Sequence, residues 1–112
     1  MIDLNALSKF SLATAEQRQR NGGNIKTDTC SMLKHCATEV VEATEAYSKI
    51  RYFPQLNLNE QEIVKEHFTG ELADIICCVL IIAGKEGIDI EQAITDCIEK
   101  NRKRADGTGD KL

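Results

Sequence analysis

Tryptophan is absent from this chain, proline occurs once in 112 residues, and aromatic side chains make up only 4%. With 42% hydrophobic residues, that composition suits a helical globule and excludes a disordered or all-β chain. No two cysteines stand at CxxC spacing, and neither histidine sits at zinc spacing from Cys30, Cys36, Cys77, Cys78 or Cys97, which excludes thiolate-metal and redox motifs. An odd number of cysteines on apolar helical positions predicts reduced, buried thiols in a cytosolic protein. Long apolar runs are also lacking. The longest, Ile75 to Ala83, is about half of a bilayer span, and its all-round hydrophobicity predicts burial within protein. Met1 to Leu12 carries Asp3 and Asn5 where a signal peptide needs an apolar core, so no leader and a cytoplasmic location are expected. Excess positive charge is missing too: 14 basic against 18 acidic residues give a net charge of -4, which argues against a general nucleic-acid binder.

What is present reads as one all-α domain of four helices, covering residues 1–104, with a mobile tail over 105–112. The first helix runs from Asp3 to Arg20 with a weak stripe of Leu4, Leu7, Phe10 or Ser11, Ala13 or Thr14, and Gln17, and Asn21-Gly22-Gly23-Asn24 breaks it. Thr27 or Asp28 caps a second helix that runs to about Arg51 and ends before Pro54. Asn59 with Glu62 forms a capping box, so a third helix spans Glu60 to Ala83 and stops at Gly84 and Gly87. Asp89 with Gln92 forms another, with Ile88 as a hydrophobic staple, and a fourth helix spans Ile90 to about Lys103.

Two pairs of acids interrupt this pattern. The apolar seam of the second helix, Met32, Cys36, Glu39, Ala43, Ala46 and Ile50, is broken only by Glu39, with Glu42 three residues on. That of the third, Val64, Phe68, Glu71, Ile75, Cys78 and Ile82, is broken only by Glu71, and Asp74 precedes the apolar run. Spacing of three places the members of each pair on neighbouring points of one face. If the two helices pack together, four acids meet in the core, where charges about 6 Å apart repel by roughly 3 kcal/mol per pair. A hard divalent cation such as Mg2+ removes that repulsion and keeps waters for a phosphate to displace.

Glu39-Val40-Val41-Glu42 followed by Glu71-Leu72-Ala73-Asp74-Ile75-Ile76, then Gly87-Ile88-Asp89 and Lys100-Asn101-Arg102, resembles the MazG-like all-alpha nucleoside triphosphate pyrophosphatase superfamily. The resemblance covers roughly Lys34 to Arg104. It implies a four-helix bundle assembled as a homodimer or homotetramer, with pockets shared between subunits. It also implies hydrolysis of a nucleoside triphosphate to the monophosphate and pyrophosphate, with Glu39, Glu42, Glu71 and Asp74 as Mg2+ ligands and Glu42 as an alternative base. Where many relatives carry an aromatic one turn after the aspartate, this chain has Cys78.

The stripe of the fourth helix, Ile90, Ile94, and Cys97 or Ile98, continues onto Asn101 and Arg104, so its inward face turns polar at its end. Lys100, Asn101 and Arg104 are candidates for contact with the substrate phosphates or the metal shell, as the resemblance also implies, whereas Arg102 and Lys103 complement the helix dipole equally well. His35 and His67 each lie one turn before a core acid and could orient it, though a partly buried structural histidine is the commoner case. Tyr47, Tyr52 and Phe53 fit packing better than base stacking. A di-iron site needs Glu-x-x-His, and Met32 and Val64 occupy the required positions. The remaining alternative is a helical interaction module of the same fold without turnover.

Overall fold

The computed structural model describes residues 2–107; the expected tail therefore lies largely outside the described residues. All four helices are present: α1 (Leu4–Arg20), α2 (Thr29–Ile50), α3 (Leu58–Glu86) and α4 (Ile90–Ala105), with a 3-10 turn at Phe53–Gln55 and no strand among the described residues. Ala105 is thus helical and does not begin the tail. Each helix opens on a side-chain cap that relieves an otherwise unpaired amide: Asp3 accepts from the Ala6 N–H, Asp28 from Ser31, Asn57 from Glu60 and Asp89 from Gln92. α3 begins two residues earlier than the Asn59–Glu62 box predicts. The same motif occurs at Asn57–Glu60, where both reciprocal bonds form, at 2.8 and 3.1 Å. Gln61 then ties the helix start to the 3-10 turn by donating to the Phe53 carbonyl at 2.7 Å. Each residue added to an existing helix gains a bond, so the earlier box wins. Gly84 does not stop α3; Gly87 does, at φ +65°.

α2 and α3 pack against each other, and α1 lies along α3. The predicted α2 seam is the observed one, with Met32, Glu39, Ala43 and Ala46 buried and Cys36 and Ile50 half-buried. The α3 seam likewise turns inward, and Phe68 meets Tyr47 of α2 with ring centroids 5.3 Å apart. The α1 stripe is matched only in part: Leu4 and Ser11 are half-buried, but the fully buried positions are Ser8 and Ala15, one residue on from Leu7 and Thr14, and Leu7 and Phe10 are exposed. Close approach explains the shift. The Ser8 hydroxyl donates to the Leu80 carbonyl at 2.6 Å, and a Cβ on Gly84 would stand 2.9 Å from the Ser8 carbonyl oxygen. Small residues at the crossing let the backbones meet, and this outweighs burial of one phenylalanine.

α4 buries no residue. It leans on α1 and is pinned at its first turn. The Asn5 side chain donates to Asp89 Oδ1 at 2.9 Å and accepts from the Ile90 N–H at 3.0 Å, while the Leu4 N–H donates to Glu91 at 2.8 Å. Beyond that clasp Ile94 and Ile98 face solvent, Ile98 at 64% exposure. By length and composition α3 also qualifies as a bilayer-crossing helix, but Glu71 and Asp74 interrupt its apolar stretch and its C-terminal half packs on the other helices. All five cysteines are free thiols. Only Cys78 is buried; Cys30, Cys77 and Cys97 are exposed, contrary to the expectation of buried thiols, because they fall outside the α2–α3 and α1–α3 seams. Burial, with smaller contributions from Cys36, Glu39, Asp74 and Cys77, pushes the Cys78 thiol up to about 11.

Candidate metal centre

Antiparallel packing of the two seams sets Glu39 of α2 and Glu71 of α3 at one level, and one carboxylate oxygen from each of Glu39, Glu42 and Glu71 lies within 4.8 Å of the others. Glu39 is buried, Glu71 half-buried and Glu42 exposed. Asp74 is exposed and lies outside that tight trio, yet near enough for its charge to act on Glu39. The Glu39 carboxyl is pushed up to about 7, foremost by burial, then by the negative charge of Glu42, by hydrogen bonding to Glu71 and by the charge of Asp74.

The histidines complete a near-symmetric arrangement. His35 Nε2 lies 3.1 Å from Glu39 Oε1, and His67 Nε2 lies 3.2 Å from Glu71 Oε1. The sequence signal for both is the repeated spacing His-x-x-x-Glu, one helical turn, which was there to be read but is common in structural helices. Each histidine holds one oxygen of its acid. The other oxygens, Glu39 Oε2 and Glu71 Oε2, are buried with no hydrogen-bond donor among the described residues. Two ionised carboxylates only accept, so they can bond to one another only if Glu39 keeps a proton. A proton or a cation would satisfy the pair, and a set of hard carboxylate oxygens fits a divalent ion of the magnesium type.

A cavity of about 370 Å3 opens on this centre, lined by Glu42, Glu45, Ala46, Lys49, His67 and Glu71. A larger cleft of about 700 Å3 lies farther toward the start of α3, between Phe53 and Thr69, and touches none of the four acids. Lys100, Asn101 and Arg104 are not brought to the centre within one chain: none lines the acid cavity, and all lie on the final turns of α4. Lys100 and Asn101 are exposed, and the Asn101 amide sits 3.9 Å from Cys97 Sγ. Arg102 pairs locally with Glu99 at 2.7 Å and Asp106 at 2.8 Å. Within one chain the polar end of the fourth helix does not line the acid cavity, and the hydrogen bonds that tie this helix to α1 lie at its opposite end.

Two long helices presenting acids to one buried level, in a domain without strands among the described residues, define an all-helical protein with a carboxylate centre suited to a divalent cation. The family model for the MazG nucleotide pyrophosphohydrolase domain matches residues 28–108, taking in all four acids together with α2, α3 and α4, and the chain belongs to that family. Nucleotide pyrophosphohydrolase activity is the activity of the family, whose members generally depend on a divalent metal. No curated protein and no solved structure matches the chain.

Proposed function

We propose that this protein hydrolyses a nucleoside triphosphate, ribo or deoxyribo, to the monophosphate and pyrophosphate with Mg2+, in a cytoplasmic nucleotide-pool housecleaning role. The observation that carries the reading is the pair of buried oxygens on Glu39 and Glu71 that have no hydrogen-bond donor among the described residues and that a cation would satisfy. In this reading Glu39, Glu42, Glu71 and Asp74 hold the ion. When bound, the ion neutralises charge developing at phosphorus and acidifies an attacking water. His35 and His67 each fix one oxygen of a ligand, which orients the other toward the centre. Glu42 is the exposed member of the trio and can pass a proton to solvent, so it is the candidate base.

Lys100, Asn101 and Arg104 belong to the same proposal as phosphate-gripping residues supplied by a second copy of the chain, since α4 leaves its own acids unattended. Homodimer or homotetramer assembly is thus part of the reading.

Glu71→Gln removes a ligand charge while keeping the side chain's shape. Pyrophosphate release with Mg2+ across a nucleotide panel is expected to fall at least about 100-fold in this variant, with the helical circular dichroism unchanged. Retained turnover would defeat the assignment. The exposed apolar residues of α3 and α4 favour one second reading, an interaction module without turnover; complete inactivity of the well-folded wild type with every nucleotide would select it.

A further inference from the structure

Within one chain, the acid cavity holds a single lysine or arginine among its lining residues, and it is not one of those that the family resemblance pointed to. Lys49 stands seven residues after Glu42, two turns along the same face of α2, and lines the cavity together with Glu42, Glu45, His67 and Glu71. Two ordinary roles are open to a lysine there. It lies in the last turn of α2, where a cation complements the helix dipole. It also follows Glu45 by four residues, the spacing of a helical ion pair. The second role is not taken up among the described residues, where Lys49 is in none of the ion pairs of Glu39, Glu71, Glu99 and Asp106. The dipole explains a cation near the end of the helix; it does not explain one placed on the acid cavity.

We infer that Lys49 binds the phosphate chain of the substrate, as the cation that this chain itself contributes to the mouth of its own acid centre. The inference rests on the hydrolase reading and specifies one contact within it. Acids dominate this cavity, and a triphosphate brings several more negative charges. A divalent ion bound by the acids serves the phosphate oxygens that face it, while those farther out need a donor of their own. The cavity offers two. His67 Nε2 is already engaged with Glu71 at 3.2 Å, which leaves the Lys49 ammonium, with three donors and no ion pair among the described residues, to serve those oxygens. A flexible point charge suits a chain of phosphates whose oxygens are not held in one plane.

The test is calorimetric titration of the full chain with inorganic tripolyphosphate in the presence of Mg2+, comparing wild type, Lys49→Gln and Lys49→Arg. Mg2+ binding alone is measured in parallel. Loss of a charged hydrogen-bond donor is expected to weaken tripolyphosphate binding about 10- to 100-fold in Lys49→Gln. Lys49→Arg should stay within a few-fold of wild type, with Mg2+ affinity unchanged in both. Equal affinity in wild type and Lys49→Gln overturns the inference, as does equal loss in the Gln and Arg variants. Wild type that binds Mg2+ but no tripolyphosphate overturns it as well. If Lys49→Gln loses binding as expected while wild type turns over no nucleotide, Lys49 stands and the hydrolase reading falls; if wild type binds neither ion nor polyphosphate, both fall.

Discussion

In the proposed reading, Glu39 couples proton and metal at a single carboxyl. Folded and free of cation, it keeps its proton up to about pH 7; unfolded, it releases it near its ordinary 4.5. The folded state therefore binds the extra proton between those values, and stability without cation falls as pH rises from about 4.5 to 7, then levels off. Asp28, Asp89 and Glu99 are shifted down by their hydrogen bonds, so their contributions are lost only below the ordinary carboxylate range and leave this window clear. In EDTA, melting temperature is expected to be higher at pH 5.5 than at pH 8, with Mg2+ restoring it at pH 8. Glu39→Gln should flatten that slope and melt higher than wild type at pH 8 in EDTA, because an amide carries no charge to bury. A wild-type melting temperature indifferent to both pH and Mg2+ would count against the centre.

At this scale the sequence was informative about Glu39 and Glu71, because an acid alone in an apolar seam is a visible anomaly. It said less about Asp74, which the structure leaves exposed, and about Lys49, whose place at the end of a helix has an ordinary explanation.

Among the elements, the helices with dense apolar seams, α2 and α3, were legible nearly residue by residue. α1 was not. Its orientation follows from steric fit at Ser8 and Gly84, a property of two surfaces together that no single stripe encodes. Gly84→Ala tests this, since helix propensity alone would favour alanine by about 1 kcal/mol. The added Cβ would meet the backbone oxygen of Ser8 at 2.9 Å, and backbone cannot swing aside as a side chain can. Chemical denaturation should therefore show a net loss of about 1 to 3 kcal/mol. A stabilised variant would mean that α1 is free to shift. The α4 stripe, expected to face inward, is exposed at Ile94, Cys97 and Ile98 within one chain, because a periodic pattern identifies a face without identifying what covers it.

The whole molecule is more open than its length requires. Its radius of gyration is 17.3 Å, against about 13 Å for a compact domain of this size. Leu72, Ile76 and Val79 on α3 and Ile94 and Ile98 on α4 remain exposed. These side chains are already partly covered, so each gains about 1 kcal/mol on full burial, enough in sum to favour association. Light scattering after size exclusion at micromolar concentration is expected to give the mass of a dimer or tetramer; a monomer would count against both self-association and the delivery of Lys100, Asn101 and Arg104 from a second copy.

The clasp between the first and last helices has a bearing on how the chain comes together. Leu4 and Asn5 meet partners 84 to 87 positions later, so these bonds close a ring of most of the polypeptide. The entropy lost in closing such a ring is repaid only after α2 and α3 have already drawn its ends near each other. During synthesis, the opening turn of α1 must wait for residues 89–91 to leave the ribosome before its last partners arrive.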